Sequence, residues 1–243
     1  MKEIRRVAVI AGTPVDTQMG VDFLNKKTAE CGESVDCPRL LPLYCPVSAD
    51  CDEQIRFQYS DDEGKRARID EIFDPEISAG TRDFFIYCNS LSGAFDFDSY
   101  AEEKSVRIYT PLQIYRKIGS QFSRIGVLAA NNISAHGIEK SLMSDNEDLY
   151  VIGNGNMSIV REIENGLPPA EIVDRCGLRN LALYMEACGA EAILLGCTHF
   201  PYFKEEFRMC CNVPVIDPAV MMYEALISDG NRFNQEQSSN KLA

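Results

Sequence analysis

The chain has 243 residues, 45% of them hydrophobic, and a formal net charge of −13. That length holds one large α/β domain or two smaller ones, and the apolar content is ample for a core. The acidic balance argues against nucleic acid and anionic membrane surfaces as partners, and no apolar run approaches the roughly 20 residues of a membrane span. It also disfavours acidic substrates at long range, so any substrate carboxylate must be held by local donors. The start, Met-Lys-Glu-Ile-Arg-Arg, enters a strand directly and does not read as a signal peptide. Without an export signal, the ten cysteines are expected as reduced thiols in a cytoplasmic protein.

Residues 7–10 (Val-Ala-Val-Ile) read as a first buried strand. A loop over residues 11–15 leads into a helix entered at Asp16-Thr17 and running to about Thr28. Cys31, Cys37, Cys45 and Cys51 have spacings too wide for a zinc knuckle, so no metal is expected. A second strand covers residues 40–44, with Pro42 inside it. Residues 50–80 carry charges punctuated by Ile55, Phe57, Ile69, Ile72, Phe73 and Ile77, the pattern of one or two amphipathic helices. Residues 83–87 (Asp-Phe-Phe-Ile-Tyr) form a third strand that delivers Cys88, and a helix follows from about Ser92. Residues 95–105, rich in carboxylates, read as an exposed loop; a strand at 106–109 and a helix from Thr110-Pro111 follow.

Arg124-Ile125-Gly126-Val127-Leu128-Ala129 repeats the first-strand pattern, and Asn131-Asn132 opens a helix. A further strand covers 149–152, with a loop at Gly153-Asn154-Gly155-Asn156. Pro168-Pro169 starts a helix expected to reach Cys188. Ala192-Ile193-Leu194-Leu195 is too short for a buried helix and suits a core strand. It ends in Gly196-Cys197-Thr198-His199-Phe200-Pro201, with Pro201 fitting the first turn of the next helix. A strand at 213–217, a helix from Pro218 and a polar, disordered tail from Asp229 complete the pattern.

Two cysteines thus stand at strand ends in matched contexts, in two halves of similar size. An open α/β sheet binds ligands there, and a thiol facing a helix N-terminus ionises more readily. A single such cysteine is usually a small buried hydrophobe; two in this arrangement point to a facing pair.

Gly196-Cys197-Thr198-His199-Phe200-Pro201 closely resembles the second cysteine motif of glutamate racemases, Gly-Cys-Thr-His-Tyr-Pro, and Cys88-Asn89-Ser90 resembles their first, Cys-Asn-Thr. The resemblance to the aspartate/glutamate racemase superfamily spans roughly residues 5–228. It implies an α/β fold of two similar lobes, each a mostly parallel sheet flanked by helices, related by a pseudo-two-fold with the active site between them. The first lobe is expected to comprise residues 1–112 and 213–228 and to carry Cys88. The second is expected at 113–212, carrying Cys197, with 229–243 as the tail.

The same resemblance implies the chemistry. One thiol removes the α-proton as thiolate and the other returns a proton on the opposite face, with roles exchanged for the other enantiomer. His199 resembles the histidine that assists the second cysteine. Asn89, Ser90 and Thr198 are short donors for the substrate carboxylate. Asp16-Thr17 resembles the family's Asp-Ser pair, which meets the substrate; an ungapped match puts Ala11-Gly12 there instead, and a plain helix cap is the alternative reading. Asn132 stands where the family has a threonine-rich turn, and Glu164 matches a site glutamate best. Tyr44-Cys45-Pro46-Val47-Ser48 departs from the family's Pro-Tyr-Gly turn, which bears on substrate identity. His136 matches no site position. The implied activity is a cofactor-independent racemisation of glutamate or a related amino acid, by a homodimer. Hydantoin racemisation, maleate isomerisation with one thiol as nucleophile, or non-catalytic small-molecule binding on the same fold are the competing readings.

Overall fold

A computed structural model describes residues 4–31 and 38–240. Strand and helix alternate: β1 (Ile4–Ala11), α1 (Pro14–Cys31), β2 (Arg39–Pro46), α2 (Cys51–Tyr59), α3 (Asp62–Ser78), β3 (Asp83–Ile86), α4 (Asn89–Ala94), α5 (Phe97–Lys104) and β4 (Arg107–Tyr109). The pattern continues with α6 (Pro111–Gly119), β5 (Arg124–Ala129), α7 (Asn132–Leu142), β6 (Tyr150–Gly155), α8 (Met157–Glu164), α9 (Pro169–Arg175) and α10 (Leu178–Ala187). Last come β7 (Ile193–Gly196), a 3₁₀ turn (Phe200–Phe203), α11 (Lys204–Arg208), β8 (Val215–Ile216) and α12 (Pro218–Asn240).

The strands form two four-stranded sheets with one order, β2-β1-β3-β4 and β6-β5-β7-β8, and every pairing is parallel. The central strands are apolar and buried along their runs: Val7, Ala8, Val9 and Ile10 in β1, Phe84, Phe85 and Ile86 in β3, Ile193, Leu194 and Leu195 in β7. Parallel strands covered by helices on both faces lose the polar alternation of a half-exposed sheet. In each sheet the chain leaves the first strand toward one edge and returns on that strand's other side. The connections therefore diverge outside the carboxyl ends of β1 and β3, and of β5 and β7, where such sheets take ligands.

Two compact units result. One runs up to Tyr87 and includes Ala94–Thr110 and the chain from Ala219 on; the other is Cys88–Gly93 with Pro111–Pro218. Residues 213–218 therefore go with the second unit rather than the first, because β8 pairs with β7. The expected loop at 95–105 is instead largely α5: Asp96 caps it by accepting from Ser99 N, and Phe97 and Tyr100 are buried. The expected helix from Pro168 to Cys188 divides into α9 and α10 at Gly177, whose φ of +67° interrupts the helix. β6 absorbs the expected glycine loop as far as Gly155, which pairs with Ala129 of β5; a Cβ on Gly155 would lie 2.2 Å from the Asn131 carbonyl carbon. The expected tail continues as helix to Asn240, with no proline after Pro218 to stop it.

The amino ends of the first sheet are tied by a buried ion triad. Asp83 opens β3 and accepts from Arg5 Nε (2.7 Å) and Nη2 (2.5 Å) on β1, and from Arg107 Nε (2.7 Å) and Nη2 (2.8 Å) on β4. Burial alone would raise the Asp83 carboxyl; the two guanidiniums override it and hold the group below its ordinary value. Cys31 is disulfide-bonded, which corrects the expectation that all cysteines are reduced thiols. Seven others, Cys88 and Cys197 among them, form no disulfide. Cys37 lies outside the described residues.

Candidate active site

In the first unit, α1 begins at Pro14, so Asp16 and Thr17 fall in its first turn rather than ahead of it. Both are buried. Thr17 Oγ1 donates to the Thr13 carbonyl at 2.8 Å, and Asp16 N donates to Thr13 Oγ1 at 3.3 Å. Asp16 therefore stands buried just beyond the carboxyl end of β1, at the end of the helix where a carboxylate is favourable.

The second unit holds both cysteine motifs. Cys88 follows β3 and is buried, with its Sγ 3.4 Å from Ser90 Oγ. Its carbonyl accepts from Ser92 N at 3.1 Å and Ser92 Oγ at 2.8 Å, which fixes the turn into α4. α4 starts at Asn89, not near Ser92, and has six residues; a helix that short builds little of the macrodipole expected to favour a thiolate. The same applies after β7, where a 3₁₀ turn of four residues stands in place of a full helix.

Asn89 is buried, and its Oδ1 accepts from the hydroxyl of Tyr115 on α6. Asn89 Nδ2 is buried and has no hydrogen-bond partner among the described residues. Burial pushes the Tyr115 phenol well above its ordinary value, and the nearby charges of Cys197 and Asp217 push it the same way. The phenol therefore stays a neutral O–H donor, within electrostatic reach of Cys197. Sequence reasoning passed over Tyr115. Its signal was the apolar spacing Ile114, Tyr115, Ile118 on α6, where a buried tyrosine needs a partner for its hydroxyl.

Cys197 follows β7 and is likewise buried; its Sγ lies 3.7 Å from His199 Nδ1. On the other side of the ring, His199 Nε2 lies 3.4 Å from Glu164 Oε1. Glu164 is the last residue of α8, and its side chain is about one-third exposed (32%). The thiol, imidazole and carboxylate thus stand in line across β7, its following turn and the end of α8. Thr198 and Ser90 are half-buried beside the two cysteines. Asn132 is exposed at the start of α7; Asn131 is the capping residue, accepting from Ser134 N at 2.8 Å. His136 is exposed and faces Glu139 at 3.6 Å.

Among the described residues, no cluster of His, Cys, Asp and Glu has the arrangement of a metal site, and no helix is long and apolar enough to cross a membrane.

No protein-family model matches the chain. It is 27% identical over 124 residues to the glutamate racemase of Limosilactobacillus reuteri, a match covering 49% of this chain and 46% of that one. The chain spans about half the length of the curated relatives it matches. In fold it is similar to glutamate racemase from Francisella tularensis in complex with D-glutamate: TM-score 0.68, 17% identity, covering 92% of this chain and 80% of that one. It is also similar to Picrophilus torridus aspartate racemase: TM-score 0.65, 16% identity, covering 93% and 94%. The chain has the two-sheet α/β fold of the aspartate/glutamate racemases, and its sequence is similar to glutamate racemase.

Proposed function

We propose that the protein is an amino-acid racemase acting on glutamate or a related amino acid, with Cys88 and Cys197 as the acid–base pair and no pyridoxal cofactor. One observation carries the reading. Two parallel sheets of the same order each deliver a cysteine outside any disulfide from the third strand, at the switch point where such sheets bind ligands. The second cysteine, moreover, has an imidazole at 3.7 Å backed by a carboxylate at 3.4 Å.

In this reading one thiolate takes the α-proton, and the Cα–H electron pair moves into the substrate carboxylate as an enediolate. The opposite thiol then gives its proton to the other face, leaving the pair with exchanged protonation. His199 shares the proton of Cys197, and Glu164 stabilises the ring when it is charged. Asn89, Ser90 and Thr198 supply neutral donors to the carboxylate where the negative charge grows.

The test is α-proton exchange in D₂O followed by NMR, with L- and D-glutamate and then a panel of other amino acids. Exchange of either enantiomer, abolished to below about a thousandth in Cys88→Ser and in Cys197→Ser, is the expected outcome. Retention of racemisation in either variant refutes the two-thiol mechanism, and absence of exchange with every amino acid refutes the racemase reading.

A further inference from the structure

Asn89 carries an unusual pairing. A carboxamide has an acceptor end and a donor end, and in a buried position its orientation is set by whichever end is held. Here the acceptor end is held: Oδ1 takes the proton of the Tyr115 hydroxyl. The donor end, Nδ2, is buried without a protein partner among the described residues, although a buried donor without a partner costs free energy. Tyr115 itself is fully buried on α6, as are Ile114 and Ile118 of the same helix. Burial restricts the ring, and the hydroxyl is what it brings to Asn89. Serine or threonine at Asn89 would remove the acceptor–donor pair; phenylalanine at Tyr115 would remove only the tether.

We propose that Tyr115 is a positioning residue: by donating to Asn89 Oδ1 it locks the carboxamide with Nδ2 presented beside Cys88 as a donor for the carboxylate of the ligand. The electrostatic surroundings of Tyr115 fit this role. Cys197 at the end of β7 and Asp217 at the end of β8 both act on the phenol, and Lys204 lies 3.6 Å from Asp217. The phenol stays protonated beside the carboxylate and the thiol, and its O–H goes to Asn89 Oδ1. The donor end of the amide is therefore left for the ligand. Without the hydroxyl, the amide is free to turn and present its oxygen, which repels a carboxylate.

This inference rests on the racemase reading for its ligand, but its test separates the two. The probe is the side-chain ¹⁵N–¹H pair of Asn89, identified by its loss in Asn89→Asp, with D- and L-glutamate as ligands. The expected wild-type pair is single and dispersed, and glutamate shifts it. In Tyr115→Phe the pair moves to the position of freely rotating amides. The KM for α-proton exchange then rises about fivefold, the effect of one neutral hydrogen bond, and kcat falls as well, because the same donor meets the charge that grows on the carboxylate. Asn89→Ala reaches the same KM without touching the core ring, and the double variant is no worse than either single one, because both remove one interaction. An unchanged Asn89 signal and unchanged KM in Tyr115→Phe overturn the proposal, as does a wild-type signal that glutamate does not move. Glutamate binding without α-proton exchange refutes the racemase reading alone, and the amide signal still decides on Tyr115.

Discussion

Replacing Glu164 by glutamine isolates the charge behind His199. The carboxylate oxygen lies 3.4 Å from His199 Nε2. At that separation two unit charges attract by about 1.2 kcal/mol in bulk water and about 2.4 kcal/mol at half that dielectric constant. With a side chain about one-third exposed (32%), the pair belongs between these limits. Glutamine keeps the size of the group and removes the charge, so a step in which His199 carries the Cys197 proton slows by roughly eight- to sixty-fold. The cost falls on one half of the cycle. Exchange started from the enantiomer deprotonated by Cys197 slows, and exchange started from the other, measured as initial wash-in of deuterium, slows less. Stability gives the control. Glu164 is the last residue of α8, where a negative charge is unfavourable to the helix dipole by about 0.3–1 kcal/mol. Glu164→Gln therefore leaves the urea midpoint unchanged or slightly raised. A variant with wild-type exchange for both enantiomers, or one that slows both equally, refutes the assignment of Glu164 to Cys197 through His199.

Two further outcomes follow from the packing. Asp83→Asn leaves Arg5 and Arg107 facing a neutral amide in a buried position; removing one member of such a buried pair costs about 3 kcal/mol, or about 6–12 °C in Tm, read by thermal unfolding. Since the folded carboxyl titrates below its ordinary value, its contribution to stability is complete above the unfolded pKa of about 4. It is lost as pH falls through the lower folded value, and the variant's stability curve should meet the wild type's in that acid range. Gly155→Ala would place a Cβ 2.2 Å from the Asn131 carbonyl carbon, against backbone. Relief requires a shift of about 1 Å in the turn after β5, and α-proton exchange should fall by up to about a hundredfold with the circular dichroism unchanged; wild-type exchange would show that this turn plays no part in the site.

The sequence by itself determined the elements whose signals are local. Short apolar runs bounded by Gly, Pro and polar residues marked β1, β3, β5 and β7, because strands buried on both faces need uniform apolarity. The strand-end positions of Cys88 and Cys197 were legible for the same reason, whereas Asn89, Thr198 and His199 stood out only through the resemblance of their motifs to those of glutamate racemases. α5 went unread because its carboxylates suggested solvent. Its cap at Asp96 and its buried Phe97 and Tyr100 outweigh that composition once the helix packs. Only the tertiary structure decided the rest. The common strand order of the two sheets, the grouping of Cys88–Gly93 with the second unit and the placing of β8 beside β7 are contacts between distant segments, and no local periodicity encodes them. The same holds for Tyr115 on Asn89, which are 26 residues apart, and for Glu164 on His199. A buried hydroxyl must find a partner, and the sequence states that need without naming who meets it; the fold names the partner by bringing one donor and one acceptor to the same point.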